Sequence, residues 1–326
     1  MDFTFLGTSA GTPTRARNVT ALALSPSDHK HWYLVDCGEG TQHQLLRAPH
    51  SVMQLRAIFI THIHGDHTFG LPGLLASASM LGRTEPLDVI APIQTQHFVT
   101  TTLENSDSSL SYHLNFINSE APDFYWEDQH VAVTSVALSH RVPCNAFVFT
   151  ERNVERQLLQ EKLKKDGIEP GPCWGELQKG NDTMLDDGRL LRSDDYTCIS
   201  RVARRLIVAG DNDNPELLTD ACECAHVLIH EATYTQEVSD RVGPWPQHSS
   251  AKQVARFAQQ VRLPSLVLTH FSSRYQSAPG GTPHISLVAE EAMQYYQGQL
   301  FLARDFDTYR LEKDLSLRLI HSTSHK

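Results

Sequence analysis

Six consecutive residues, His62-Ile63-His64-Gly65-Asp66-His67, constrain this chain more than any other feature. Four of the six carry metal-ligating side chains. They directly follow the apolar run Ala57-Ile58-Phe59-Ile60-Thr61, which reads as a buried strand. A strand that ends in ligands is a stiff platform for cations. His62 and His64 lie two apart, so an extended chain points them to one side. Gly65 lets the backbone turn, so that Asp66 and His67 face a second ion. Imidazole nitrogen and carboxylate oxygen form the borderline donor set that suits Zn²⁺. Four ligands are more than one cation takes from so short a segment, and the pattern predicts two ions close together.

The cluster resembles the H-x-H-x-D-H signature of the metallo-β-lactamase superfamily. That resemblance implies an α/β fold, a four-layer αββα sandwich with its metal site at strand ends along one edge. It also requires further His and Asp ligands downstream, each closing a strand. Three apolar runs satisfy this. Val131–Ser139 ends in His140, Arg205–Gly210 ends in Asp211, and Ser265–Thr269 ends in His270. By resemblance, His62, His64, His140 and Asp211 hold one zinc. Asp66, His67, Asp211 and His270 hold the other, with Asp211 as the bridge, and Mn²⁺ or Co²⁺ can replace zinc in such sites.

The chain has 326 residues, 40% of them hydrophobic, enough for one large core, so residues 1–326 are read as a single hydrolase domain. No apolar stretch approaches membrane-spanning length, which argues against a membrane partner. Met1–Leu6 has no basic leader and enters a strand at once, so no signal peptide is expected. The six cysteines show no framework spacing, which suits free thiols in a cytoplasmic protein. Cys222 and Cys224 lie near a helix end, where residues two apart do not face each other, and they are not read as ligands. A net charge of −10 excludes a generally basic nucleic-acid binder. Any RNA contact must come from local patches.

Asp2–Thr8, Thr20–Leu24 and Trp32–Asp36 are strand-like, and Thr41–Arg47 is helical after the turn at Gly38 and Gly40. Helices are expected over Phe69–Leu81, Ser249–Val261 and Ile285–Tyr296, the second with Ala251, Val254, Ala255 and Ala258 on one face. Strands followed by helices suit a sandwich covered by helices.

Lactamases, thioesterases, phosphodiesterases and nucleases share such a cluster, so the substrate must be read outside it. Glu231, in His230-Glu231-Ala232-Thr233 after the strand Ala225–Ile229, and His248, at a helix start, can form an acid pair. The carboxylate raises the proton affinity of the imidazole and fixes its tautomer. Such a His⁺ protonates an alkoxide leaving group. Residues 151–190 lie between two ligand-bearing strands, so they are an insertion. It opens with a helix-like stretch, Glu151–Lys165, bearing Arg152, Arg156, Lys162, Lys164 and Lys165, and reads as a basic handle for RNA phosphate. It goes on to Gly171-Pro172-Cys173-Trp174-Gly175-Glu176-Leu177-Gln178-Lys179-Gly180.

These last motifs resemble the ribonuclease Z family of tRNA 3′-processing endonucleases. His230–Thr233 is similar to its HEAT motif, and Gly171–Gly180 to the end of its protruding tRNA-gripping arm. Phe3–Thr14, Arg17-Asn18, Asp36–Gln42, Pro72–Leu75 and Ser272–Tyr275 match in the family's order, so the resemblance spans residues 3 to 275. The length suits the short form, a homodimer, with the bacterial variant ribonuclease BN as the closest type. The resemblance implies zinc-dependent removal of the 3′ trailer from precursor tRNA, leaving a 3′-hydroxyl and a 5′-phosphate. Asp66 is then the proton acceptor, Glu231 and His248 the acid pair, and Gly171, Pro172, Gly175, Leu177, Lys179 and Gly180 the arm's RNA-binding residues. The alternatives are a 3′→5′ exoribonuclease or general phosphodiesterase of the same fold, and an RNA-binding protein with an inactive metal site. The chain departs from the family after His140, where Arg141-Val142 replaces Tyr-Gly. It departs again at Asn212-Asp213-Asn214 after Asp211, and at Gln247, where Gly is common. These positions shape the pocket for the scissile nucleotide.

Overall fold

The computed structural model describes residues 1–26, 30–152, 154–278 and 280–322. Its strands divide between two large sheets, eight and seven strands among the described residues. The first runs Leu317–His321, Thr308–Leu311, Asp2–Gly7, Ala21–Ser25, Trp32–Val35, Leu55–Phe59, Leu87–Ala91 and Leu114–Asn118. It is antiparallel up to Trp32–Val35 and parallel from there. The second runs Gln299–Leu302, Ser265–Thr269, Val227–Glu231, Arg205–Ala209, Cys144–Glu151, Val131–Leu138 and Tyr125–Glu127. Its four strands from Arg205–Ala209 to Gln299–Leu302 are parallel.

Alternation along each strand builds the layers. Phe59 and Tyr33 of the first sheet meet Trp126, Phe147 and Phe149 of the second, with ring centroids 5.1–6.3 Å apart. Ile58 and Ile60 face the other way, into a core with Leu71, Leu74, Leu75 and Ala78. Beneath the second sheet, Leu228, Leu266 and Leu268 pack on Val254, Ala255 and Ala258 of one helix and Val288 and Ala292 of another. Strands buried on both faces explain the unbroken apolar runs in the sequence. This is the expected αββα arrangement.

Element ends are set by local chemistry. The helix Ala251–Gln260 starts in a capping box, Ser250 accepting from the Gln253 amide and Gln253 from the Ser250 amide. The helix expected over Phe69–Leu81 runs Leu71–Met80, and a separate short helix, Gly65–Thr68, precedes it. Pro72 lies in the first turn of the longer helix, where its missing N–H costs nothing. Gly70 lies against the turn at Gly38, and a Cβ there would sit 2.2 Å from the Gly38 carbonyl oxygen. The close approach ties the helical segment to the turn behind the ligand loop.

Residues 128–131 and 151–203 form a second compact unit, while the rest of the chain forms the sandwich. In the smaller unit, Arg156–Leu158 pairs antiparallel with Thr197–Ile199, and Thr183–Met184 with Leu190–Leu191. Leu163, Ile168, Leu177 and Leu191 make its core. The stretch Glu151–Lys165 is not one helix: Glu151 ends a strand, Arg156–Leu158 is another, and only Gln160–Lys165 is helical. No helix among the described residues is long and apolar enough to cross a membrane.

Candidate metal centre

Strand ends deliver the predicted ligands to one place. The strand Leu55–Phe59 stops two residues before Thr61 and His62, and Val131–Leu138, Arg205–Ala209 and Ser265–Thr269 release His140, Asp211 and His270. Donor atoms of His62, His64, His140 and Asp211 all lie within 4.8 Å of one another, as do those of Asp66, His67 and His270. Asp211 faces both sets. Its Oδ2 is 3.7 Å from the Nε2 atoms of His62 and His140. Its Oδ1 is 3.5 Å from His67 Nε2 and 3.4 Å from His270 Nε2. One carboxylate thus divides its oxygens between two ligand sets. His248 also comes within reach, its Nδ1 3.7 Å from Asp211 Oδ2.

Hydrogen bonds at the back of each ring settle which nitrogen faces inward. His67 Nδ1 donates to Asp36 Oδ2 at 2.7 Å, and His140 Nδ1 to the Gln247 carbonyl at 3.0 Å. Thr61 donates its hydroxyl to Asp36 and accepts from His62 Nδ1 at 3.0 Å. Thr233 donates to Glu231 and accepts from His270 Nδ1 at 3.1 Å. All four Nε2 atoms therefore turn inward, where each can take a cation once it carries no proton. His64 turns its Nδ1 inward, 3.1 Å from His62 Nε2 and from His140 Nε2. Lone pairs this close repel unless a cation or a proton lies between them. The donor set fits two divalent cations.

The electrostatics agree. Burial lowers the His67 imidazole, but Asp36, Asp66 and Asp211 outweigh it and raise it to about 10. Burial would raise the Asp66 carboxyl, yet His67 and His270 hold it far below its usual range. The same opposition keeps Asp211 ionised. His62 contacts imidazoles more than carboxylates, and burial drives it well below 6.5. Asp66 is also steered by the backbone: the Gly11 amide donates to its Oδ2 at 2.7 Å.

Glu231 and His248 do pair. Glu231 is buried as the last residue of its strand. It accepts from the Asn212 amide at 2.7 Å, from the Thr233 hydroxyl, and from His248 Nδ1 at 3.0 Å. Burial lowers His248, but Glu231 and Asp211 raise it to about 9.

Several residues that build the centre had no role in the sequence reading. Asp36 sits at φ 59° and orients His67 and Thr61. Asn212 fixes the turn after Asp211, its side chain accepting from the Ser139 amide and donating to buried, neutral His230. Their signal was position alone, a polar residue beside a strand end. Gln247 adopts φ 53°, in the left-handed region that glycine enters at least cost. Gly65 begins a helix, where a Cβ would meet the ring of Phe69 at 2.2 Å, an exposed side chain with room to move aside.

In the smaller unit, Pro172–Gln178 is a helix with Gly175 inside it, and of Gly171, Gly175 and Gly180 only Gly180, at φ 91°, is in the left-handed region. Leu177 is fully buried in the unit's core, so it builds the unit and offers no contact surface. Lys179 is exposed and pairs with Glu176 at 2.7 Å. The expected basic character is also corrected. Residues 151–203 hold nine Lys and Arg against eleven Asp and Glu, and Arg156, Lys164, Lys179, Arg189 and Arg201 are paired with carboxylates.

Comparisons with known proteins agree with this geometry. A family model described as the anti-Pycsar protein Apyc1 matches residues 1–137. A ribonuclease Z of Marinobacter nauticus is 76% identical over 325 residues, covering 100% of both chains. A ribonuclease BN of Proteus mirabilis is 38% identical, covering 95% of this chain and 100% of its own. The crystal structure of human tRNase Z, short form, matches with a TM-score of 0.65 at 26% identity, covering 96% of this chain and 100% of that one. Two sheets with helices outside and a His/Asp cluster at the strand ends, taken with these relatives, define a metal-dependent phosphodiester hydrolase, a nuclease of the metallo-β-lactamase fold. Within that class, the chain belongs to the ribonuclease Z family.

Proposed function

We propose that this chain is a zinc-dependent endoribonuclease that cleaves precursor tRNA and releases the 3′ trailer. The observation that carries the reading is the Glu231–His248 pair, 3.0 Å apart, beside a ligand cluster that Asp211 divides in two. His62, His64, His140 and Asp211 would hold one ion, and Asp66, His67, Asp211 and His270 the other. Two Zn²⁺ ions acidify water and offset charge on the phosphoryl oxygens. The remaining work falls to the side chains. Asp66, held by the Gly11 amide, orients the attacking water and accepts its proton. A bond forms between the water oxygen and phosphorus, and the bond to the 3′-oxygen breaks. His248 passes its Nε2 proton to that oxygen, while Glu231 keeps Nδ1 and stabilises the imidazolium. The products are a tRNA with a 3′-hydroxyl and a trailer with a 5′-phosphate.

The inserted unit supplies an RNA-binding surface, with Lys162, Lys164 and Lys165 on its Gln160–Lys165 helix and the turn at Gly180. With so balanced a charge, it recognises RNA more through shape than through phosphate pairing. Replacing it by a short linker is expected to weaken precursor-tRNA affinity while retaining hydrolysis of a small phosphodiester. Undiminished tRNA cleavage by that variant would remove the unit from the reading. The active form is a homodimer working in the cytoplasm. Leu46, Met80 and Leu81 lie at the ends of neighbouring helices, 82%, 81% and 66% exposed, and give a second copy an apolar face to cover. Sedimentation of the purified protein measures that state.

The deciding experiment maps the products of end-labelled precursor tRNA. One cut, with a 3′-hydroxyl on the tRNA and a 5′-phosphate on the intact trailer, is expected. A ladder of mononucleotides would mark a 3′→5′ exoribonuclease instead.

A further inference from the structure

Arg141 and Trp245 lie on the two segments that carry His140 and His248. Arg141 follows His140 directly, and Trp245 lies three residues before His248. Their segments are docked on each other: His140 Nδ1 donates to the Gln247 carbonyl at 3.0 Å, and the His140 and His248 rings are 5.4 Å apart. The docking brings the Arg141 guanidinium to 5.9 Å from the centre of the Trp245 ring. Both side chains are exposed, Trp245 at 76%.

A tryptophan this exposed buries little of its own surface, so core packing does not account for it. Its backbone is stiff as well. The segment reads Gly243-Pro244-Trp245-Pro246-Gln247. Gly243 is at φ 81°, and the Gln247 amide closes a turn on the Pro244 carbonyl at 3.0 Å. Two prolines fix φ on either side of the tryptophan, so presenting the ring costs little further chain entropy when something lands on it. A rigid indole with a guanidinium above one face is the chemistry that receives a nucleobase and its phosphate. Every base has a π-face to stack on an aromatic ring, and arginine pairs with phosphate by a two-pronged contact.

We propose that Arg141 and Trp245 form a stacking clamp for an unpaired nucleotide flanking the scissile phosphate. This rests on the reading of the chain as an RNA-cleaving enzyme. The clamp is indifferent to base identity, because stacking reads the face and not the edge. It positions substrate, while proton transfer stays with Glu231 and His248.

The test uses full-length, metal-loaded protein and three precursor substrates. One is intact, one lacks the base on the 5′ side of the cut, and one lacks the base on the 3′ side. Base stacking on an aromatic is worth on the order of 1–3 kcal/mol, so Trp245→Ala is expected to raise KM for the intact substrate about 5- to 150-fold, with kcat nearly kept. Trp245→Phe should recover most of that loss. Removing the base that stacks should cost the unaltered enzyme a similar factor and cost Trp245→Ala nothing more. The abasic position that shows this lack of additivity tells which nucleotide is held. Equal KM values for Trp245→Ala and the unaltered enzyme on intact precursor would overturn the clamp. So would a Trp245→Ala penalty that persists on both abasic substrates, or one that appears equally on a nitrophenyl phosphodiester. An unaltered enzyme that fails to cut intact precursor at one site would defeat the endonuclease reading instead, and so the two failures are distinguishable.

Discussion

Glu231 decides what His248 can do. The carboxylate is buried, yet it accepts three hydrogen bonds, and the one from His248 Nδ1 leaves Nε2 as the only nitrogen free to give up a proton. Burial lowers His248, but Glu231 and Asp211 lift it to about 9, which suits the proton-donor role proposed for it. His248→Ala is expected to keep its metal and lose roughly 10²–10⁴-fold in kcat on RNA. A nitrophenyl phosphodiester, whose leaving group needs no proton, should suffer much less. Equal slowing of both would make His248 a positioning residue. A second imidazole, far from the chemistry, titrates against the fold. Burial beside Trp32 holds His50 down to about 4, with Asp2 opposing only in part. Its folded value lies below the unfolded 6.5, so the stability it contributes is full above pH 6.5 and drains as pH falls toward 4. His50→Gln should flatten that part of a plot of unfolding free energy against pH. An unchanged slope would show that other groups carry it.

At the level of elements, the centre depends on backbone that few residues adopt readily. Asp36, Gln247 and His270 sit at φ 59°, 53° and 55°, in the left-handed region, which costs a non-glycine residue roughly 1–2 kcal/mol. For Asp36 and His270 the side chain faces the ligand cluster, Asp36 accepting from His67 and His270 lying among the ligands. For Gln247 the working group is the carbonyl that accepts from His140, and glycine would keep it. Gln247→Gly should therefore retain cleavage and leave stability equal or up to about 1 kcal/mol higher in denaturant titration; lower stability would mean that the Gln side chain contributes. The strands that carry ligands were legible in the sequence. Leu55–Phe59, Arg205–Ala209 and Ser265–Thr269 are mostly buried apolar runs and Val131–Leu138 alternates, each stops shortly before a His or Asp, and neither feature depends on distant parts of the chain. Other features were not. The short helix Gly65–Thr68 and the close approach of Gly70 to Gly38 depend on contact between separate segments, which a periodicity search does not see. Glu151–Lys165 has the composition of a helix, but its first residues belong to strands, because pairing with Thr197–Ile199 overrides propensity. The outer hydrogen bonds from Asp36, Thr61 and Thr233 join segments far apart in the chain, and only folding reveals them.

Across the whole molecule, charge is concentrated where it is useful. The net charge is −10, and the inserted segment 151–203 is itself slightly acidic. Attraction for RNA thus cannot come from a general positive field, which leaves it to local cationic side chains and to cations that the centre would hold. Two carboxylates and five imidazoles converge there, with Asp211 turned toward both sets. Removing Asp211 takes an oxygen from each, so it should cost more than the loss of His64, which serves one. The most direct measurement is metal content by elemental analysis on the same preparations whose precursor-tRNA cleavage is assayed. About two zinc ions per unaltered chain are expected, with about one or fewer in Asp211→Ala and no detectable cleavage. Chelation should abolish cleavage by the unaltered protein, and added zinc should restore it. Full-rate trimming of precursor tRNA by metal-stripped protein would contradict the two-ion centre.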